Sequence, residues 1–163
     1  MALVGYVKID EIQGESQRGE HEEEIDIHGL HWEVKQTSSA AIGSGRTSSR
    51  ASISGLTVYK WCDAASPYLA HAAMKGTNLN EVTVTIRKDS GDVHLDYLEV
   101  KMEKCIISRY EMLDPSFGPD DPEEIREKVT FSCEKVTVKY IVQADDHSAG
   151  AEHETEYDIV AAA

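Results

Sequence analysis

The stretch EVTVTIRKD, residues 81–89, decides the fold, because its side chains alternate between apolar and polar. One face carries Val82, Val84 and Ile86, and the other carries Thr83, Thr85 and Arg87. Such alternation is typical of an antiparallel strand with one buried face. The turn signal DSGD follows, and then HLDYLEVKMEK, so we predict a hairpin from about Val82 to Met102.

Another long strand-like segment, KVTFSCEKVTVKYIVQ, lies at residues 128–143. Its apolar residues have odd numbers from Val129 to Cys133 and even numbers from Val136 onward. A shift of one residue turns every later side chain to the opposite face, unless a bulge or turn absorbs it. We therefore predict a bulge at Glu134 and Lys135.

One helix is predicted in CDAASPYLAHAAMKG, residues 62–76. Ser66 is placed to cap it, and Pro67 then takes the first helical position, where a missing N–H costs nothing. Lys75 and Gly76 suit the C-terminal end. With about eight predicted strands, the fold class is mostly β, a β-barrel or sandwich with one short helix on its side.

Three segments lack this alternation. TSSAAIGSGRTSSR (37–50) is rich in hydroxyls, and LDPSFGPDDPEE (113–124) is rich in prolines and acids. The end of the chain, QADDHSAGAEHETEYDIVAAA (143–163), is acidic with few apolar residues. We therefore divide the chain into a β-barrel domain at 1–143 and an acidic C-terminal tail at 144–163, part of which we expect to be mobile.

The charge of the chain excludes several classes of partner. Its 163 residues carry a formal net charge of -14 at pH 7, which repels nucleic acids and anionic membranes. No apolar run approaches the length of a membrane span. The first residues are strand-like and lack a secretory leader, so we expect cytoplasmic folding and a leaderless route for any export. Cys62, Cys105 and Cys133 have no CxxC spacing, which fits a reducing compartment.

No pattern in the chain is typical of catalysis or of a cofactor site. IGSGRTSS (42–49) lacks the GxxxxGK[ST] spacing and precedes a strand, which argues against a phosphate loop. His28 and His31 would point to opposite faces of a strand, which argues against a metal pair. The acidic segment lacks the Asp ladder of a calcium loop, and no GxSxG motif is present. We predict no catalytic, cofactor-binding or metal-binding residues, and no enzyme activity.

The predicted strands leave sheet edges without an obvious partner. A lone barrel with long unguarded edges risks aggregation. Closed association of identical copies would satisfy those edges. The residues therefore favour a self-assembling protein.

Five segments together resemble a known family. They are YVKIDEIQGES (6–16), HEEEIDIHGLHWEVKQ (21–36), DAASPYLAHAAMKG (63–76), EVTVTIRK (81–88) and EKVTFSCEKVTVKYIVQ (127–143). Their order and spacing are similar to those of the hemolysin-coregulated proteins, Hcp, the tube subunits of the bacterial type VI secretion system. The GES turn, the D-x-x-S-P-x-L helix entry and the final strands carry the resemblance together.

The resemblance implies a two-sheet antiparallel β-barrel with one helix, six copies closing into a ring, and rings stacking into a tube. The implied partners are other copies of the chain, a VgrG-like spike at the tip, the contractile sheath that expels the tube, and effector proteins held in the lumen. Neither nucleic acid nor membrane is expected as a partner. Export through the type VI secretion system is implied.

The resemblance also implies roles for particular positions. Residues 37–50 correspond to the family's extended loop, which reaches toward a neighbouring ring; the ring-stacking candidates are Ser39, Ala40, Gly43, Ser44, Gly45, Arg46, Thr47 and Arg50. HGLHWEV (28–34) corresponds to strands that line the bore, which makes His31 the lumen candidate and turns Leu30 and Trp32 toward the subunit. Two alternatives stay open: a tail-tube-like protein of another contractile injection machine, and a small β-barrel enzyme or ligand-binding module.

Overall fold

The computed structural model describes residues 3–36, 38–39, 47–48, 51–113 and 124–163. These residues form twelve strands and one helix. The elements in chain order are β1 (Val4–Ile9), β2 (Ile25–Ile27), β3 (Gly29–His31), β4 (Val34–Lys35), β5 (Ser38–Ser39), β6 (Thr47–Ser48), β7 (Ser52–Ile53), β8 (Leu56–Trp61), α1 (Ser66–Lys75), β9 (Leu79–Ser90), β10 (Val93–Leu113), β11 (Arg126–Gln143) and β12 (Ala149–Asp158).

Eight of the strands form one antiparallel sheet that curls into a barrel. Its order is β2-β1-β9-β10-β11-β8-β3, and β12 pairs with β11. The end strands β2 and β3 are separated along the chain by His28, whose backbone N–H donates to the Tyr59 carbonyl at 2.9 Å. The two ends of the sheet therefore meet there. The prediction of a mostly β, barrel-like fold with one short helix is confirmed.

The hairpin predicted from the 81–89 stretch is confirmed, since β9 pairs with β10 across a turn at Gly91. Its three apolar side chains, Val82, Val84 and Ile86, are at most 2% exposed. The other face differs from the prediction, because Thr85 and Arg87 are buried as well. The segment between β1 and β2 covers this face, and its Glu20 carboxylate lies 3.5 Å from the Arg87 guanidinium.

The bulge predicted at Glu134 and Lys135 is wrong, because β11 keeps its register with β10 through this point. The buried side chains nevertheless shift from odd-numbered to even-numbered positions, since Phe131 is buried before Glu134 and Val136 is buried after Lys135. Opposite this point, Lys104 of β10 has a φ of 54°. The side chains of both strands turn to the opposite face of the sheet at paired positions, so the register between β10 and β11 is kept. The register shift of this pair lies elsewhere, between Ile107 and Arg109.

The helix α1 begins one residue before the predicted position. Ala65 is its N-cap, and no side chain caps it. Ser66, the predicted cap, turns inward, where its hydroxyl donates to the Glu127 carboxylate at 2.9 Å. Gly76 ends the helix with a left-handed φ of 62°, as predicted. Leu69 is the large apolar side chain that α1 buries in the core.

Residues 144–163 extend the barrel's sheet. β12 pairs with β11 from Asp158 opposite Lys135 to Ala149 opposite Gln143. The boundary placed after residue 143 therefore falls inside a hairpin. Acidic side chains conceal this strand in the sequence, but an edge strand needs only backbone pairing and one supported face. The expected mobility of part of this segment stays a prediction.

Candidate assembly surfaces

Strands β4 to β7 form a narrow ribbon that we name the arm base. Val34 pairs with Ile53 in the β4–β7 ladder, and Ser39 pairs with Thr47 in the β5–β6 ladder. Neither ladder belongs to the eight-stranded sheet. The two ladders follow one another along the same pair of chain segments, so the segment predicted to be an extended loop begins as a hairpin.

The predicted stacking residues divide into two groups. Ser39 and Thr47 lie opposite each other in the arm base. The others lie outside the described residues: Ala40, Gly43, Ser44, Gly45, Arg46 and Arg50. Their role in stacking stays a prediction.

An apolar groove of about 200 Å³ lies where the arm base meets the hairpin of β11 and β12. The side chains along it include Trp32, Val34 and Ile53 on one side and Val136, Val138 and Tyr157 on the other. Val34 is 52% exposed despite its apolar side chain. Covering apolar surface is favourable by about 25 cal/mol per Å². The groove is therefore a place where an apolar group of another molecule would be stabilised.

The strand β3 presents His31 away from the core. Leu30 and Trp32 are partly buried and pack against the core, whereas His31 is exposed. His31 lies opposite Thr57 of β8 in the sheet. The alternation expected for this strand is present, and the assignment of His31 to a lumen stays a prediction.

The outer strand β12 carries a row of charged side chains. Lys135 of β11 lies 3.3 Å from the Glu156 carboxylate and 3.5 Å from the Glu103 carboxylate. Hydrogen bonding to Glu156 and its negative charge raise the pKa of Lys135. A further pair joins Lys139 to Glu152 at 3.4 Å. Charged edges discourage unspecific strand pairing and favour a partner with complementary charge.

A buried cluster of charges attaches the start of α1 to the barrel. Lys60 and Glu127 are directly paired on β8 and β11, and both are fully buried. The Lys60 ammonium donates to Glu127 at 2.5 Å, to Asp63 at 2.9 Å and to the Ser66 hydroxyl at 3.2 Å. Buried ions of opposite charge are tolerated when their geometry is good and their remaining polar atoms are bonded. The cluster therefore fixes the β8–α1 connection.

Glu127 receives hydrogen bonds at both carboxylate oxygens. Oε2 accepts from Lys60 and Ser66, and Oε1 accepts from the Tyr110 hydroxyl. Burial and the hydrogen bond to Glu127 raise the pKa of Tyr110, which keeps the phenol protonated as a donor. Strands β8, β10 and β11 and helix α1 thus meet at one polar point.

A second polar cluster holds the segment between β1 and β2 over the sheet. The His21 ring stacks on Tyr6 with centroids 4.2 Å apart. Its Nδ1 lies 2.7 Å from Glu24, and its Nε2 lies 2.8 Å from Asp96. The Arg87 guanidinium donates to Asp96 at 2.7 Å. Although burial by itself raises the pKa of Asp96, the hydrogen bonds from Arg87 and His21 hold that pKa below its ordinary value.

Sequence reasoning missed the apolar groove and the Lys60 cluster, although each left a signal. The apolar residues of β11 shift from odd-numbered to even-numbered positions at Val136 and Val138, and this shift places the two valines along the groove. Lys60 is in phase with Leu56 and Val58, which face the core. The period shows that such residues share a face, but it does not show what covers that face.

The described segments contain no group of three or more His, Cys, Asp and Glu side chains placed to hold a metal ion. Within the same segments, no helix has the length and apolar character needed to cross a membrane. The prediction that the protein needs no metal or cofactor stays a prediction.

Comparison with known proteins gives a consistent result. Residues 6–140 match the family model described as "Type VI secretion system effector, Hcp". The curated Protein hcp1 of Pseudomonas aeruginosa is 28% identical over 146 residues, which cover 90% of this chain and 88% of that protein. A solved structure of a type six secretion system protein has a TM-score of 0.90 at 26% identity and covers 99% of both chains. Hcp1 from Salmonella typhimurium has a TM-score of 0.77 at 27% identity, covering 99% of this chain and 98% of its own.

Proposed function

Because the chain belongs to the Hcp family of type VI secretion system proteins, we propose that six copies close into a ring and that such rings stack into the system's tube. Effector proteins occupy the lumen, a VgrG-like spike caps the tip, and the contractile sheath surrounds the tube. The chain assembles in the cytoplasm and leaves through the secretion system by a leaderless route. Its contribution is geometric, and no catalytic step is proposed.

The observation that carries the proposal is the apolar groove between the arm base and the β11–β12 hairpin. A single copy leaves this surface open to water, with Val34 half exposed. Contact between two different patches of identical subunits forms a ring when the rotation closes. Such a contact buries the groove of every copy equally, which fits six identical positions around a bore.

The arm, by which we mean residues 34–53 with the arm base and the residues between its strands, supports the second part of the proposal, the stacking of rings. Its base consists of paired strands outside the barrel sheet, so we expect the barrel to fold without residues 40–46. Arg46 and Arg50 place positive charge in an arm that belongs to a chain of net charge -14. An acidic surface on the next ring is a complementary partner for that charge.

The stacking role is tested by shortening the arm. Replacing residues 40–46 with Asn-Gly joins Ser39 to Thr47, which already lie opposite each other, through a two-residue turn. We expect the ring to close and the stacks to disappear, because the contact between rings is removed while the barrel is untouched. Native mass spectrometry measures ring closure, and sedimentation velocity with negative-stain microscopy measures stacking.

A variant with residues 40–46 replaced by glycine and serine at the original length is the matched control. It separates the effect of shortening the arm from the effect of losing side chains such as Arg46. Unchanged stacking by the shortened protein would contradict the docking role. Loss of the ring itself would mean that the arm is needed for ring closure, and this result would also contradict the docking role.

We propose that His31 faces the lumen, since its neighbours Leu30 and Trp32 pack against the core and His31 is exposed. The test introduces His31→Cys in a protein whose exposed Cys62 and half-buried Cys133 are both replaced by serine. In stacked rings we expect a small maleimide to label residue 31 readily and a maleimide attached to a large polyethylene glycol to label it much more slowly. The bore hinders the larger reagent, and gel mobility reports both reactions.

The control for this experiment is Tyr68→Cys in the same background, because Tyr68 is 64% exposed on α1. The ratio of the two labelling rates should be far lower at residue 31 than at residue 68. Equal ratios at the two positions would contradict the lumen assignment.

A further inference from the structure

Two cysteines lie directly opposite each other on neighbouring strands at the centre of the sheet. Cys105 of β10 and Cys133 of β11 are partners in the antiparallel register. Side chains of directly opposed residues extend from the same face of the sheet. The Cα atoms of such pairs are about 4.5–5.5 Å apart, within the range of about 4.4–6.8 Å that disulfides span. Backbone geometry therefore permits a bond between the two sulfurs.

The two thiols differ in exposure and in acidity. Cys105 is fully buried, whereas Cys133 is half-buried. Hydrogen bonding between the thiols raises the pKa of Cys105, with burial adding to the rise, and lowers the pKa of Cys133. Reactivity of a cysteine follows its thiolate form and its access to solvent. Cys133 is thus the outer, reactive thiol, and Cys105 is the inner thiol placed to attack it.

We propose that Cys105 and Cys133 form an intrachain disulfide when the folded protein meets a small disulfide oxidant such as oxidised glutathione. The inference rests on the pairing within one chain and is independent of the proposed ring. The third cysteine, Cys62, is exposed and lies outside this pair.

The exchange proceeds in two balanced steps. The Cys133 thiolate attacks one sulfur of oxidised glutathione, which breaks that S–S bond and releases one glutathione thiolate. Cys105 then gives up its proton to the released glutathione thiolate and attacks the Cys133 sulfur, which forms the Cys105–Cys133 bond and releases the second glutathione thiolate. The protein's two thiols are oxidised, and one molecule of glutathione disulfide is reduced to two thiols.

The proposed disulfide would link the two longest strands of the sheet. It joins β10 to β11 beside Lys104 and Glu134, where both strands change face. Thiol–disulfide exchange runs in both directions, and the ratio of oxidised to reduced glutathione sets which form is favoured. The bond is therefore reversible, open in a reducing compartment and closed in an oxidising one.

The experiment uses the full chain carrying Cys62→Ser, which leaves the two paired cysteines as its thiols. The folded protein is equilibrated in mixtures of oxidised and reduced glutathione, quenched with acid, denatured and alkylated with N-ethylmaleimide. We expect intact mass spectrometry to show both alkylation sites lost together, with the mass of two hydrogens removed. Dithiothreitol should restore both sites, and peptide mapping should find residue 105 joined to residue 133.

Two single variants check the order of the steps. In the same background, Cys105→Ala should stop at a glutathione adduct on Cys133, and Cys133→Ala should give neither adduct nor bridge. The proposal is wrong if both thiols of the Cys62→Ser protein stay alkylatable at every glutathione ratio. It is equally wrong if oxidation ends at a stable adduct or a bond between chains, or if the bridge forms only after urea has unfolded the protein. These readings on the Cys62→Ser protein do not depend on the folding of the alanine variants.

Discussion

Lys60→Met should lower the free energy of unfolding by about 3–5 kcal/mol, because it leaves a buried carboxylate without its counter-ion. Lys60 and Glu127 are both fully buried, with the ammonium 2.5 Å from the carboxylate. Methionine fills a similar volume but neutralises no charge. Ser66 and Tyr110 still donate to Glu127, so the change removes the charge balance and leaves part of the hydrogen bonding. Urea unfolding followed by circular dichroism measures the loss.

Two further proteins separate charge from packing in this experiment. Lys101→Met removes an exposed ion pair in which the charged atoms are 3.6 Å apart, and should cost about 0–1 kcal/mol. The double variant Lys60→Met, Glu127→Gln removes both charges of the buried pair and should recover part of the stability. If the double variant is no more stable than Lys60→Met alone, unbalanced charge is not the cause of the loss.

Leu69→Ala should lower the free energy of unfolding by about 2–5 kcal/mol, because it opens a cavity between α1 and the barrel. Leu69 is 1% exposed, and the other buried residues of the helix, Ser66 and Ala72, are too small to fill the space. Alanine is a better helix former than leucine, so the loss cannot come from helix propensity. The same urea unfolding experiment measures the effect, at a protein concentration where native mass spectrometry finds one species.

Met74→Ala is the matched control on the same helix. Met74 is 82% exposed, so its truncation opens no cavity and should change the stability by less than about 0.5 kcal/mol. Equal losses at positions 69 and 74 would mean that α1 is not held to the barrel by its buried face.

The sequence predicted the parts of the fold that depend on neighbouring residues. The alternation from Val82 to Ile86, together with the DSGD turn, gave the β9–β10 hairpin, since a strand and its turn are both encoded locally. Gly76 marked the end of α1 because the left-handed φ there favours glycine. The order of the short segments around these elements was enough to identify the Hcp family.

Features that depend on distant residues were predicted poorly. Arg87 alternates with the apolar residues of its strand, which predicted an exposed side chain. The segment between β1 and β2 instead covers Arg87 and supplies Glu20 as a partner. The apolar residues shift from odd-numbered to even-numbered positions at Glu134, which suggested a bulge in β11. Instead, the side chains of β10 turn to the opposite face at the paired position, so the register between the two strands is preserved. Acidic residues concealed β12, because its place depends on pairing with β11.

The sequence by itself determined the class of fold, the main hairpin, the helix end and the family, because each follows from periodicity, turn chemistry or the order of short motifs. Only the tertiary structure decided which faces are covered, why Lys60 can be buried, where the apolar groove lies, and that Cys105 meets Cys133. The physical reason is that a period of two fixes which side chains share a face of a strand. What lies against that face is chosen by residues far away along the chain.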